Sequence, residues 1–378
     1  MKTLPYRKNL FEISPNKHYF CGHSLGPISK PAHNALQQAL CEWETEQVCA
    51  WTQSAWIDLP MLCGEKLAPI IGAHAHEVVV CDNTTLNIMK LLLCALSLTT
   101  RNVILTEKNN FPTDNYIAQS VAQLKNVEFK SVAKDEIITS LNTDVAVLLL
   151  SHIDYKTSEK WDMAHINQVA KEKGILIVWD LSHSVGVMKL ESSSLDVDFA
   201  VGCTYKYLNG GPGAPSFVYV NQKHHAASAP MQGWMGHRAP FDFSAQFVPA
   251  NGIKRFLSGT PSILSMKTLL GALSLFDHQD LSEIEKVSGI LGDYLIAQCK
   301  QFPNLKCISP IDASNRGGHV AFKHPKANKL ANALIEQGVI VDYRAPDIIR
   351  FGISPLYLSK SDIIKTISHL HYILNHFL

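Results

Sequence analysis

The run GILIVWDLSHSVG (174–186) brings an aspartate, Asp180, to the carboxyl end of an apolar stretch, with Ser182 and His183 just beyond it. About twenty-six residues on, GCTYKYLNGGPGAP (202–215) sets Lys206 among aromatics and ahead of a Gly/Pro-rich turn. A carboxylate beside a pyridinium nitrogen favours the protonated ring, because opposite charges a few ångströms apart raise the base's pKa. The protonated ring is an electron sink, and a partly desolvated lysine amine forms the Schiff base that feeds it. An Asp and a Lys on one sheet edge are therefore what pyridoxal phosphate requires. Each residue also has a plainer use. A strand-end Asp is often the N-cap of the next helix, a lysine between tyrosines commonly sits on the surface, and a Gly/Pro-rich turn is usually only a turn. Spacing alone leaves both readings open.

The elements around the pair must bring it together. Apolar runs without strict alternation recur at EVVVCD (77–82), NVILTEK (102–108), DVAVLLLSH (144–152), GILIVWD (174–180), DVDFAVGCTYKYL (196–208) and SFVYV (216–220). Such runs are strands buried on both faces, as in a parallel sheet covered by helices. Helical patterns alternate with them: TTLNIMKLLLCALSL, FPTDNYIAQSVAQL (111–124), and HINQVAKEKG ending at Gly174. An earlier helix opens at Pro31, which suits a first-turn position, and WTQSAWIDLP (51–60) reads as a loop with two tryptophans. The expected class is α/β, with the site at the carboxyl ends of the strands. After about residue 265 the pattern changes. The stretch SILSMKTLLGALSLF and a second helix (about 281–301) lead to short strand runs LKCISP, GHVAFKH, VIVDYR and IIRFGI and to a closing helix from about Ser361. The expected organisation is an N-terminal arm and helix (1–45), a large domain (46–265) and a smaller α+β C-terminal domain (266–378).

Composition narrows the classes. The 378 residues are 46% hydrophobic, enough for a large core, and the net charge of +1 carries no basic excess of the kind that nucleic-acid binders show. The longest apolar runs are too short to span a bilayer, and MKTLPYRKNLFEIS has no apolar core of a secretory signal. No nucleic acid and no membrane partner is expected. Nine cysteines, an odd number without any CxxC pair, argue against a disulfide framework or a zinc ribbon. They fit a reducing cytoplasm, and no metal site is expected.

Several motifs together resemble the kynureninase family: DFAVGCTYKYLNGGPGAP, DLSHSVG, FPTDNY, GWMGH (233–237), YFCGHSLGP (19–27), WTQSAWIDLP, EVVVCDNTTLN, LLLSHIDYKTS and IIRFGISPLY (348–357). They cover almost the whole chain. The resemblance implies the type I, aspartate-aminotransferase-like pyridoxal-phosphate fold and hydrolysis of L-kynurenine, or its 3-hydroxy form, to anthranilate (or 3-hydroxyanthranilate) and L-alanine in tryptophan degradation and NAD-precursor metabolism. It implies Lys206 as the Schiff-base lysine and proton-transfer base, Asp180 on the ring nitrogen with His183 beside it, and Phe111 stacked on the ring. Thr84 and Thr85 would hold the phosphate at a helix start. Tyr205 would reach the phosphate and take part in proton transfer, and Ser151 and Asp114 would line the site. Trp234 and Thr260 match contacts that a partner subunit supplies in a homodimer with shared sites. Arg350 would grip the substrate carboxylate with its fork, and Trp51 would contact substrate. The tryptophan loop and Thr260 resemble the bacterial type.

One residue departs from the pattern: His23 stands where the family has Asn before Ser-Leu-Gly. The sequence leaves two other readings open. One is another type I enzyme, such as a cysteine desulfurase or lyase, although none of the nine cysteines stands out as reactive. The other is a catalytically silent cofactor-binding relative, which the intact Lys206, Asp180 and Arg350 argue against.

Overall fold

A computed structural model describes residues 7–228 and 231–376. The first six residues of the basic opening segment lie outside that range. At the centre is a seven-stranded sheet. Its spatial order is Val78–Cys81, Ser216–Val220, Phe199–Gly202, Leu176–Asp180, Val145–Ser151, Val103–Glu107 and Glu128–Val132. Ser216–Val220 alone runs against the others. The expected mainly parallel sheet is therefore present. The unbroken apolar runs follow from burial on both faces: two hydrophobic clusters cover the sheet, one on each side.

Helix starts are set by local chemistry. Ser29 accepts the amide of Ala32 and Pro31 sits in the first turn of Lys30–Glu46. Asn83 accepts the amide of Leu86 at the start of Thr84–Ser97. The helix Met163–Glu172 stops just before Gly174, which takes φ +63 as a left-handed C-terminal residue does. The apolar helix Ile263–Leu273 packs on Lys30–Glu46 and on Leu59–Leu67, so the N-terminal helix and the chain near residue 265 share one core.

Beyond residue 300 a four-stranded antiparallel sheet forms in the order Asp342–Arg344, Ile348–Gly352, His319–Lys323, Lys306–Cys307. The helices Leu281–Cys299 and Lys360–His376 accompany it. Separately, His18–Tyr19 pairs in parallel with Val339–Ile340.

Three local expectations are corrected. The segment 51–60 is not a loop: Ala50–Gln53 is helical, Trp56–Asp58 is a short 3-10 turn and Leu59 opens a further helix. The reason is tertiary, since Trp56 is buried and its Nε1 donates to Glu42 at 2.8 Å. The run 196–208 is extended only at Phe199–Gly202. Beyond it Gly210 and Asn209 donate their amides back to Thr204 and Lys206, folding the chain into a tight turn. The run 339–344 divides at Val341, and its two halves join different sheets. An unexpected edge strand, Glu128–Val132, is largely solvent-facing and too polar to resemble the buried runs.

Candidate active site

An open cavity of about 250 Å³ lies at the carboxyl ends of the parallel strands. Ser151 and Asp180 end adjacent strands in direct register, so their side chains emerge together. Lys206 rises from the turn after Phe199–Gly202. That turn is braced from the N-terminal arm, where the Gly26 amide donates to the Tyr205 carbonyl at 2.7 Å. The Lys206 amine is half-buried, 6.0 Å from the centre of the Phe111 ring and 5.9 Å from that of Tyr205. Among the described residues no hydrogen bond or ion pair engages it.

Asp180 is buried, and its Oδ1 accepts the Ser182 amide at 2.9 Å and the Ser182 hydroxyl. Both donors bind one oxygen, so the second is not spent on this turn. Asp114 is a second buried carboxylate, and its Oδ2 accepts the Ser151 hydroxyl at 3.2 Å. Burial and then the nearby Asp180 push the Asp114 carboxyl well above the usual range. Two carboxyls so close do not both ionise easily. His183 lines the cavity, and its Nδ1 has no hydrogen-bond partner among the described residues. Burial, followed by the cation of Lys206, holds its imidazole well below the usual pKa, so the ring is neutral at physiological pH. Cys203 and burial push the Tyr205 phenol up, which keeps it protonated.

The opposite wall is the helix start at Asn83, Thr84 and Thr85. The first amides of a helix have no intrahelical acceptor and suit an anion. The Thr84 hydroxyl donates to Ser216 Oγ at 3.3 Å, which fixes the threonine over the sheet edge. Phe111, 39% exposed, stands edge-on to Tyr155 with ring centres 5.2 Å apart and leaves a bare face at the cavity.

Arg350 lies behind Tyr155, outside the cavity lining and only 1% exposed. Its Nε donates to Asp342 Oδ1 at 2.8 Å, its Nη2 to Asp342 Oδ2, and its Nη1 to the Tyr155 carbonyl. Burial works against the Asp342 carboxylate, yet its neighbours His23 and Arg350 hold it well below the usual carboxylate range. His23 is fully buried, with Nε2 3.3 Å from Asp342 Oδ1 and its ring stacked on His319 at 5.1 Å. Burial and then Arg350 lower its pKa to about 4, so His23 is neutral near pH 7 and Arg350 supplies the counter-charge.

The cavity thus gathers Lys206, Asp180, His183, Tyr205, Phe111, Asp114, Ser151, Thr84 and Thr85. It does not gather four other expected residues. Arg350 is one layer back. Trp51 packs edge-on to Trp56 beside the core. Trp234 stacks on Phe243, and its Nε1 donates to the Pro240 carbonyl. Thr260 is exposed on a separate loop. Three contributors carry no role in the sequence reading: Ser182, which clamps Asp180, Ser216, which holds Thr84, and Tyr155. Ser182 was readable, since a serine two residues after an aspartate favours a local turn bond.

Residues 284–370 match the family model "Kynureninase C-terminal domain". Over 98% of its length the chain is 40% identical to the kynureninase of Deinococcus radiodurans, covering 93% of that protein. It is 39% identical to the kynureninase of Burkholderia mallei over 94% of the chain and 89% of the relative. Among solved structures, the apo cysteine desulfurase of Thermococcus onnurineus superposes with TM-score 0.85 at 16% identity, covering 99% of each chain. A C-DES mutant with glycine covalently linked to its PLP cofactor gives TM-score 0.82 at 20% identity, over 96% of this chain and 98% of that one. At such identities the structural likeness speaks for the fold, that of the type I pyridoxal-phosphate enzymes.

Proposed function

The chain belongs to the kynureninase family, and from that membership we infer that it hydrolyses the Cβ–Cγ bond of L-kynurenine, giving anthranilate and L-alanine with pyridoxal phosphate carried on Lys206. The observation that carries the reading is the half-buried Lys206 amine, without an ion-pair partner among the described residues, in one cavity with the Asp180 carboxylate and the bare face of Phe111. The residues fit the cofactor. Lys206 is the amine for its aldehyde, Asp180 the anion for its ring nitrogen, Phe111 the apolar face for its ring, and the amides of Thr84 and Thr85 the donors for its phosphate.

When bound, the cofactor supplies the electron sink that makes cleavage beside a carbonyl tolerable. Lys206 takes the proton from the substrate α-carbon. Tyr205, protonated at neutral pH, is the donor to the β-carbon that becomes the methyl group of alanine. One water is consumed: its oxygen ends on the acyl carbon of anthranilate and a proton ends on the β-carbon. The neutral His183 frames the ring site without adding charge, and Asp114, whose carboxyl is pushed up by burial and by Asp180, lies beside it. Arg350, buried one layer behind the cavity lining, is the residue proposed to receive the α-carboxylate, on the two N–H groups of its five that Asp342 and Tyr155 do not use. The desulfurase alternative fits poorly. Cys203, the cysteine at this cavity, is buried, and burial pushes its thiol up, away from the thiolate that desulfuration needs.

We further propose a homodimer with shared sites. The exposed Phe241 and Phe243 around Trp234, and a cavity lining that includes neither Trp234 nor Thr260 of the same chain, support it. A cytoplasmic location is proposed from nine cysteines that form no disulfide among the described residues. No described helix is long and apolar enough to cross a membrane.

The test is incubation of the cofactor-loaded protein with L-kynurenine, following anthranilate fluorescence. Production of anthranilate that disappears in Lys206→Ala is expected. Alanine release from cysteine without anthranilate from kynurenine would overturn the reading.

A further inference from the structure

Lys90 is the one charged side chain of the helix Thr84–Ser97, and it is 1% exposed. A buried ammonium needs acceptors close by. Lys90 has them from separate stretches of chain: the Asp82 carboxylate ahead of its own helix, the Phe256 carbonyl at 2.7 Å, and the Cys81 sulfur at 3.7 Å. Ser258 closes the knot by donating its hydroxyl to Asp82 Oδ2 at 2.9 Å.

The position of Asp82 gives this knot a use. Asp82 has φ +43, in the left-handed region that a non-glycine residue enters at a cost. It links the strand Val78–Cys81 to the helix start at Asn83, Thr84 and Thr85. The direction in which those first amides point follows from how sharply the chain turns at Asp82. The Ser216 amide also donates to the Asp82 carbonyl at 3.0 Å, so the turn is held on its backbone side as well as through its carboxylate.

We propose that Lys90 is the positioning residue of the phosphate cradle. By anchoring the Asp82 carboxylate to the loop at 256–258, it keeps the left-handed turn in place and aims the Thr84 and Thr85 amides at the phosphate. The proposal rests on the pyridoxal-phosphate reading above. It differs from two plainer roles. If Asp82 served only to make the turn, glycine, which adopts positive φ freely, would serve better. If Lys90 served only overall stability, its loss would weaken every ligand of the cavity alike.

The experiment titrates the apoprotein with pyridoxal phosphate and, separately, with pyridoxal, which has the same aldehyde and ring but no phosphate. The visible absorbance of the compound attached to Lys206 reports both. The wild type is expected to prefer pyridoxal phosphate strongly. Lys90→Met and Asp82→Gly are expected to lose about tenfold or more of that preference with pyridoxal affinity nearly unchanged. Ser258→Ala should lose about two- to fivefold. Retention of the full preference in Asp82→Gly and Lys90→Met, or an equal loss for both compounds, would overturn the proposal. Should Lys90→Met fail to fold, Asp82→Gly and Ser258→Ala decide the question by the same ratio. A wild type without preference would sink the cradle reading and the proposal with it, whereas a preference kept by wild type and variants alike sinks only the proposal.

Discussion

Arg350 and Asp342 are direct cross-strand partners in the small sheet, and the carboxylate of one fills two donors of the other's guanidinium. The arginine expected to grip the substrate therefore already holds a carboxylate. The fork is held along its Nε side by Asp342, and its Nη1 also serves the Tyr155 carbonyl, which leaves two N–H groups unused by these partners. Preorganised donors of this kind bind without paying again for side-chain ordering.

Arg350→Lys keeps the charge and loses the fork. Hydrogen bonds to charged groups contribute about 1.5–3 kcal/mol each, so KM for kynurenine should rise at least about tenfold with the cofactor absorbance intact. Asp342→Asn, which leaves the fork loosely held, should raise KM by a smaller factor. Steady-state kinetics on both variants check this, and an unchanged KM in Arg350→Lys removes the arginine from substrate recognition.

Tyr205→Phe removes the phenolic proton and little volume. A positioned general acid is worth about 10²–10⁴ in rate, so kcat should fall into that range with KM and cofactor affinity close to wild type. Full turnover in Tyr205→Phe would assign the proton donation to another group.

His23 should make the fold sensitive to mild acid. Burial holds its pKa at about 4 against 6.5 for the free side chain. Between those values the unfolded chain binds a proton that the folded chain refuses, so stability falls as pH drops from 6.5 towards 4. Its share of the loss from pH 7 to pH 5 is about 2 kcal/mol. His152, His183 and His319 are shifted in the same direction. Urea unfolding at pH 7 and pH 5 should show a smaller drop in His23→Asn than in wild type. Equal drops would mean that His23 is already protonated or hydrated in the folded protein.

Shared sites make a complementation prediction. Lys206→Ala and Trp234→Ala chains, each inactive alone, form one intact site in a mixed dimer. Random mixing makes half the dimers mixed, so roughly a quarter of wild-type activity should return. No recovery under conditions that exchange subunits would refute the sharing.

The sheet was legible because strands buried on both faces leave unbroken apolar runs, and Asp180 and Lys206 were legible because each closes or follows such a run. Residues whose role lies in their partners were harder. Asp342 and Arg350 sit eight positions apart, a spacing that becomes meaningful only once the hairpin between them is known. Lys90 did leave a mark, as a lone charge in LNIMKLLLC where charged residues are almost never buried unless paired. Its partners at 256 and 258, however, are far away in sequence. The segment around Trp51 reads as loop from its sequence because the bond from Trp56 to Glu42 is invisible to local periodicity.

The pairing of His18–Tyr19 with Val339–Ile340 governs the order in which the chain can be completed during synthesis. The two strands of this pair lie about 320 residues apart in the chain. Until Val339 emerges, the arm has no sheet to join, and Gly26 has no fixed base from which to brace the Tyr205–Lys206 turn. The central sheet can collapse early from neighbouring segments, while the contacts that seal the arm span nearly the full chain and form late. A nascent chain stalled before residue 339 should therefore hold a formed large sheet with a loose N-terminus. Protease added to such stalled chains should clip near residue 20 and spare the strands between 78 and 220.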